Sequence, residues 1–171
     1  MIFLKLLQSL ISTLNSEGTP RQIAAGLALG AAFGLTPLVN VHNLVVLVLA
    51  MVLNVSIGGV LLGWTLFVPV GFALDPVFDR VGSALLGAPG LQSLWTSLYN
   101  TPGVPLTNFN NTVVLGSVVG WLVLWLPIFY LARFLVIRYR ATIYERLKTT
   151  RAFKAITASK AYTYYQMLWP G

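Results

Sequence analysis

A chain of 171 residues with 57% hydrophobic and only 9% charged side chains, at a mean hydropathy of +0.79, departs far from the roughly 25% charge of a soluble domain; it is read as one integral membrane domain with few crossings. The lack of cysteine excludes disulfides, thiol catalysis, iron–sulfur clusters and thiolate zinc sites, and one His with four acids leaves too few ligands for another metal centre, so no metal and no cofactor is expected. The net charge of +7 belongs to one segment, because from Arg133 onward eight Lys or Arg face a single acid, Glu145.

The first fifteen residues place Phe3, Leu6, Leu7, Leu10, Ile11 and Leu14 at helical spacing, with Lys5, Ser9, Ser12 and Thr13 mostly opposite. That pattern predicts an amphipathic helix over 1–15 lying in the membrane interface, retained because no A-x-A cleavage site follows. The membrane domain is expected over 18–139. Thr19 before Pro20 is an N-cap with Pro at the first helical position, so a helix starts at Pro20. It carries Gly26, Gly30 and Gly34 on one face, which permits close helix crossing, most simply between the two arms of a hairpin or between copies of the chain. It stops near Thr36-Pro37, and its ~24 Å falls short of a ~30 Å hydrocarbon core.

A second apolar stretch runs from Val41 to Leu74, interrupted by Asn54-Val55-Ser56-Ile57-Gly58-Gly59 and by Pro69. Asp75-Pro76 reads as another N-cap with Pro in the first turn, opening a short helix with Val77, Phe78, Val81 and Leu85 toward lipid; Gly87-Ala88-Pro89-Gly90 ends it. Capping at Asp75 and an interfacial ion pair at Asp79 beside Arg80 account for the carboxylates without chemistry. The segment 91–112 has no charged residue and is expected as an external loop. A final helix from about Val113 to Tyr139, with Gly116 and Gly120 at packing spacing, delivers the basic tail, 140–171, to the cytoplasm. In that tail Arg138, Arg140, Arg146, Lys148, Arg151, Lys154 and Lys160 are expected to meet anionic lipid of the inner leaflet. No nucleic-acid motif accompanies the charge.

With both termini cytoplasmic, an odd number of crossings is needed before residue 91. Three thin spans satisfy this, as does a re-entrant hairpin over 20–57, its Thr36-to-Asn43 tip at mid-depth, followed by one span over 58–74. The short arms, the glycines and the polar tip agree with the hairpin. Asn40, His42 and Asn43 at that tip are the candidate site: polar groups within the membrane are costly and mark functional positions, whereas the structural alternative is that they satisfy the backbone freed by Pro37. No nucleotide-binding glycine loop and no nucleophile beside a base is found, so no catalytic residue is assigned. The fold class expected is all-α.

The stretch GTPRQIAAGLALGAAFGLTPLVNVHN, through Gly18, Pro20, Ile23, Ala24, Gly26, Ala28, Gly30, Phe33, Gly34 and Pro37, resembles a bacterial inner-membrane family known as domain of unknown function twenty sixty-two. Relatives often carry Gly-x-Gln or His-x-Gln after that Pro, where this chain has Asn40-Val41-His42-Asn43. The resemblance implies a cell-envelope setting. The form with a basic tail looks like a subgroup that accompanies an envelope protein similar to the AsmA lipid-transport group. The function expected is therefore a non-enzymatic inner-membrane module that anchors, or feeds lipid to, such a partner. Alternatives are a small oligomeric transporter or channel, with Asn40, His42 and Asn43 lining its pore, and a membrane subunit of a glycosyltransferase.

Overall fold

The computed structural model describes Thr13 and residues 18–143, and among them every regular element is helical. The expected interfacial helix over 1–15, apart from Thr13, lies outside the described residues, as do Arg146, Lys148, Arg151, Lys154 and Lys160 of the tail. Five α-helices follow in order: α1 Pro20–Leu35, α2 Val41–Val52, α3 Ile57–Gly87, α4 Gln92–Asn100 and α5 Thr112–Arg138. Short 3₁₀ turns at Pro89–Leu91 and Val104–Thr107 flank α4, and α5 runs on into a π-helical turn over Tyr139–Ile143.

α1 begins where its caps dictate. The Thr19 hydroxyl accepts from the Gln22 N–H at 3.3 Å while the Gln22 side chain accepts from the Thr19 N–H at 2.8 Å, a reciprocal box that satisfies two otherwise orphaned donors. At the other end the Thr36 hydroxyl donates back to Ala32 O at 2.7 Å and its extended backbone stops the helix before Pro37. α1 is the buried centre of the molecule, with Ile23, Ala24, Ala28, Ala31, Ala32 and Leu35 almost fully covered.

Its principal partner is α3. A Cβ added at Gly26 would lie 2.3 Å from Ser56 O, at Gly30 2.0 Å from Val60 O, and at Gly34 2.6 Å from Phe67; in return Gly59, Gly63 and Gly71 of α3 abut the backbone of Ile23, Leu27 and Gly34. Two glycine stripes face each other and allow backbone-to-backbone contact that any side chain would prevent. Partner numbers rise together along both helices, so α1 and α3 are parallel and α2 is the return stroke between them. The glycine face therefore does not join the two arms of a hairpin, as the sequence suggests. α2 touches α1 through Val46 and Ala50 against Leu29 and Ala32, and leaves most of its apolar surface exposed.

α5 runs the opposite way. A Cβ at Gly116 would meet Phe78 O at 1.9 Å, one at Gly120 the Phe78 ring at 2.7 Å, and Gly82 of α3 abuts Thr112 O. Further along, the Trp121 indole donates to Ala28 O of α1 at 3.0 Å, and Arg140 donates to Gly18 O at 2.9 Å. α1 is thus held between α3 and α5. The start of α1 and the end of α5 lie together, which gathers Arg21, Arg138 and Arg140 at one end of the molecule.

Three further expectations are corrected. α3 is a continuous helix of 31 residues that passes through Pro69 and Pro76, so Asp75 lies inside it and caps nothing. A true cap does stand at its start, where Ser56 accepts from Gly59 N–H at 3.1 Å. Phe78 does not face lipid: it is 4% exposed, clustered with Ala31 and Leu35. Asp79 accepts a hydrogen bond from the Thr112 hydroxyl at the start of α5. The segment after α3 is folded, not an open loop: α4 leans back on α3 with the Trp95 indole donating to Leu85 O at 3.0 Å. α3, and α5 continued to Thr142, are each long and apolar enough to cross a membrane, and little of either is buried within the chain.

Candidate functional site

The turn between α1 and α2 is built from side-chain amides. Pro37 ends α1, and the chain then needs acceptors and donors for backbone groups that no helix serves. Asn43, buried in the first turn of α2, supplies them: its amide nitrogen donates to Pro37 O at 2.9 Å and Leu38 O at 3.1 Å, and its oxygen accepts from the Thr36 hydroxyl at 3.1 Å. Asn40 donates to Pro37 O at 2.9 Å and accepts from the Asn108 amide at 2.9 Å, a bond that spans 68 residues and ties the tip to the segment between α4 and α5. The end of α1, at Gly34 and Leu35, lies against Phe67–Gly71 in the middle of α3, and another sixteen residues of α3, about 24 Å, run on beyond Gly71.

Against this tip lies an open groove of about 650 Å³. Phe33, Leu38, Leu44, Leu47 and Leu106 give it apolar walls, and Asn40 and Asn108 stand together at one side. The volume is within the range of small-molecule sites, whose usual lining is apolar with a few polar groups that fix orientation. The structure brings Asn40 and Asn43 into this lining but not His42. The His42 ring is partly buried elsewhere on α2, and its Nε2 atom is buried with no hydrogen-bond partner. Sequence reasoning missed Asn108 and Leu106, because nothing local in an uncharged Pro/Asn/Thr stretch signals a contact across 68 residues.

A second, smaller cleft of about 320 Å³ lies between α4 and the chain leading into α5. Trp95 stacks on Phe109 with ring centroids 6.0 Å apart and planes inclined by 27°. Among the described residues no three or more His, Cys, Asp or Glu are grouped as metal ligands. Of the basic residues expected to meet lipid, Arg138 lies over the Phe134 ring at 5.6 Å and Arg140 reaches Gly18 O. Arg133 has its Nε buried with no hydrogen-bond partner.

A family model described as an uncharacterised protein conserved in bacteria, DUF2062, matches residues 5–144. An uncharacterised protein of Treponema pallidum (strain Nichols) is 29% identical over 150 residues, a span covering 88% of this chain and 93% of that protein. No solved structure matches.

Proposed function

The chain belongs to the DUF2062 family of bacterial proteins, and from that premise we propose that it is a non-catalytic inner-membrane module that holds a lipid at the α1–α2 tip and serves an envelope-lipid transport or assembly partner. The observation that carries this reading is the groove: apolar walls made by Phe33, Leu38, Leu44, Leu47 and Leu106, with the Asn40–Asn108 amide pair beside them. An acyl chain suits the walls, and the Asn108 side-chain oxygen, which has no hydrogen-bond partner among the described residues, can accept from a hydroxyl.

The topology proposed with it is a re-entrant hairpin. α1 and α2, at about 24 Å and 18 Å, are each shorter than the ~30 Å hydrocarbon core, and their tip stops beside the middle of α3. Non-helical backbone at that depth is tolerated where protein or a wet cavity encloses it, which is the part assigned to the segment around Asn108. The cluster of Arg21, Arg138 and Arg140 at the opposite end favours a cytoplasmic placement for that end. A pore lined by Asn40, His42 and Asn43 has less support, because both asparagines spend their amides within the tip.

The test is lipid retention. Chain purified into nanodiscs and examined by native mass spectrometry is expected to carry about one tightly held lipid. Leu47→Trp, which fills the groove from α2, is expected to lose it. Equal retention by the wild type and the variant would refute the groove as the site.

A further inference from the structure

The two clefts are lined by consecutive residues of one segment. Leu106 and Asn108 line the groove, and the next residues, Phe109 and Asn110, line the cleft against α4, whose helix contributes Trp95, Thr96, Tyr99 and Asn100. Their chemistry differs. The groove is aliphatic, whereas the cleft is aromatic and amide-bearing, and it lies within a stretch, 91–112, that has no charged residue.

An aromatic face carries partial negative charge and attracts the partially positive C–H face of a neutral ring. Primary amides offer two donors and an acceptor in a plane, the complement of vicinal hydroxyls. Asn100 and Asn110 have no side-chain hydrogen-bond partner among the described residues, in contrast to Asn40 and Asn43, whose amides are consumed by the tip. The Tyr99 side chain is largely exposed. Trp95 is held in place from behind, by its bond to Leu85 O and by the Phe109 ring. None of the six lining residues is Lys or Arg, the usual partners of a phosphate head group, and the exposed Arg80 stands on α3, the helix against which α4 packs. The lining itself suits a head group rich in hydroxyls.

We propose that the ligand is a neutral glycolipid, its hydrocarbon in the groove at the α1–α2 tip and its sugar in the cleft formed by Trp95, Tyr99, Phe109, Asn100 and Asn110. This inference rests on the lipid-holding reading of the groove and names the class of head group. The Asn40–Asn108 bond ties down Asn108, the residue before Phe109, and so steadies the segment that contributes to both linings.

The experiment uses the full chain in nanodiscs, free of sugar-based detergents, with two probes of equal acyl composition: diacylglycerol and monoglucosyl diacylglycerol. The glycosylated probe is expected to bind at least tenfold more tightly. Tyr99→Ala and Asn110→Ala, both at the protein surface, are expected to erase that preference while leaving diacylglycerol binding unchanged, and Leu47→Trp to weaken both probes. Equal affinity for the two probes in the wild type would overturn the sugar assignment and leave the lipid groove standing. Failure of both to bind would overturn the two readings together. Quenching of Trp95 by lipids brominated along their acyl chains, scored against Trp95→Phe, would place the cleft in the bilayer and also overturn the proposal.

Discussion

Gly30→Ala adds one methyl group at the closest approach of α1 and α3. The added Cβ would lie 2.0 Å from Val60 O, 2.8 Å from Val60 C and 2.9 Å from Trp64 N, all backbone atoms that no rotamer change can move aside. Ordinary contact begins at 3.4 Å, so the carbonyl must retreat by about 1.4 Å, which parts the helices along the whole glycine stripe. A gap of 0.5–1 Å already forfeits about a quarter to a half of each dispersion contact, and overpacking in a close-packed core costs about 1–3 kcal/mol. With clash and lost contact both present, a loss of about 3 kcal/mol is expected, a fall of roughly 6–12 °C in Tm for a chain of this size. Gly87→Ala is the control, because nothing lies within 4 Å of the added methyl; it is expected to be neutral or to gain up to about 1 kcal/mol through the unfolded state. Thermal unfolding of both variants in one detergent or nanodisc preparation reads the difference directly. If Gly30→Ala unfolds within about 2 °C of Gly87→Ala, the parallel glycine pairing of α1 and α3 is wrong.

Asn43→Leu keeps the bulk but takes one of two donors from each of Pro37 O and Leu38 O, leaving both to Asn40 alone, and is expected to cost about 1–2 kcal/mol and to raise hydrogen exchange over residues 38–44. Unchanged exchange there would show that the tip is not held by that amide. His42→Leu removes a buried nitrogen with no partner, so stability is expected to hold or to rise by about 1 kcal/mol; a clear loss on thermal unfolding would mean that the ring has a polar role in the membrane. Thr19→Ala dissolves the capping box and is expected to cost about 1 kcal/mol, with Thr19→Ser restoring most of it in the same assay.

The start of α1 was legible from Thr19-Pro20 because capping chemistry is local, and the bounds of α5 fell within a residue of those read from its apolar run. The break before α3 was legible too, from the interruption over residues 54–59, but not that Ser56 caps the helix. Asp75-Pro76 misled because the same dipeptide opens a helix or rides inside one, and the choice lies with what packs outside it. Here Gly71 seats α3 on α1 and Gly82 seats it on α5, on either side of the Pro, and this packing carries the helix through the lost N–H. The glycines announced close contact without naming a partner, since spacing records a face and not its neighbour. At the tip, the polar residues were visible but their use was not: Asn43 is spent on the turn, and part of the groove's lining, Leu106 and Asn108, comes from far along the chain.

Because α1 is held between α3 and α5, the first of the five described α-helices is the last to be completed. Its indole partner Trp121 is 93 residues away, and the bond from Arg140 to Gly18 spans 122. At a synthesis rate of about 5–20 residues per second, α1 waits on the order of 5–20 s before its second flank arrives. Chains halted before residue 112 would expose the bare side of α1, which makes α5 a checkpoint for assembly of the described fold.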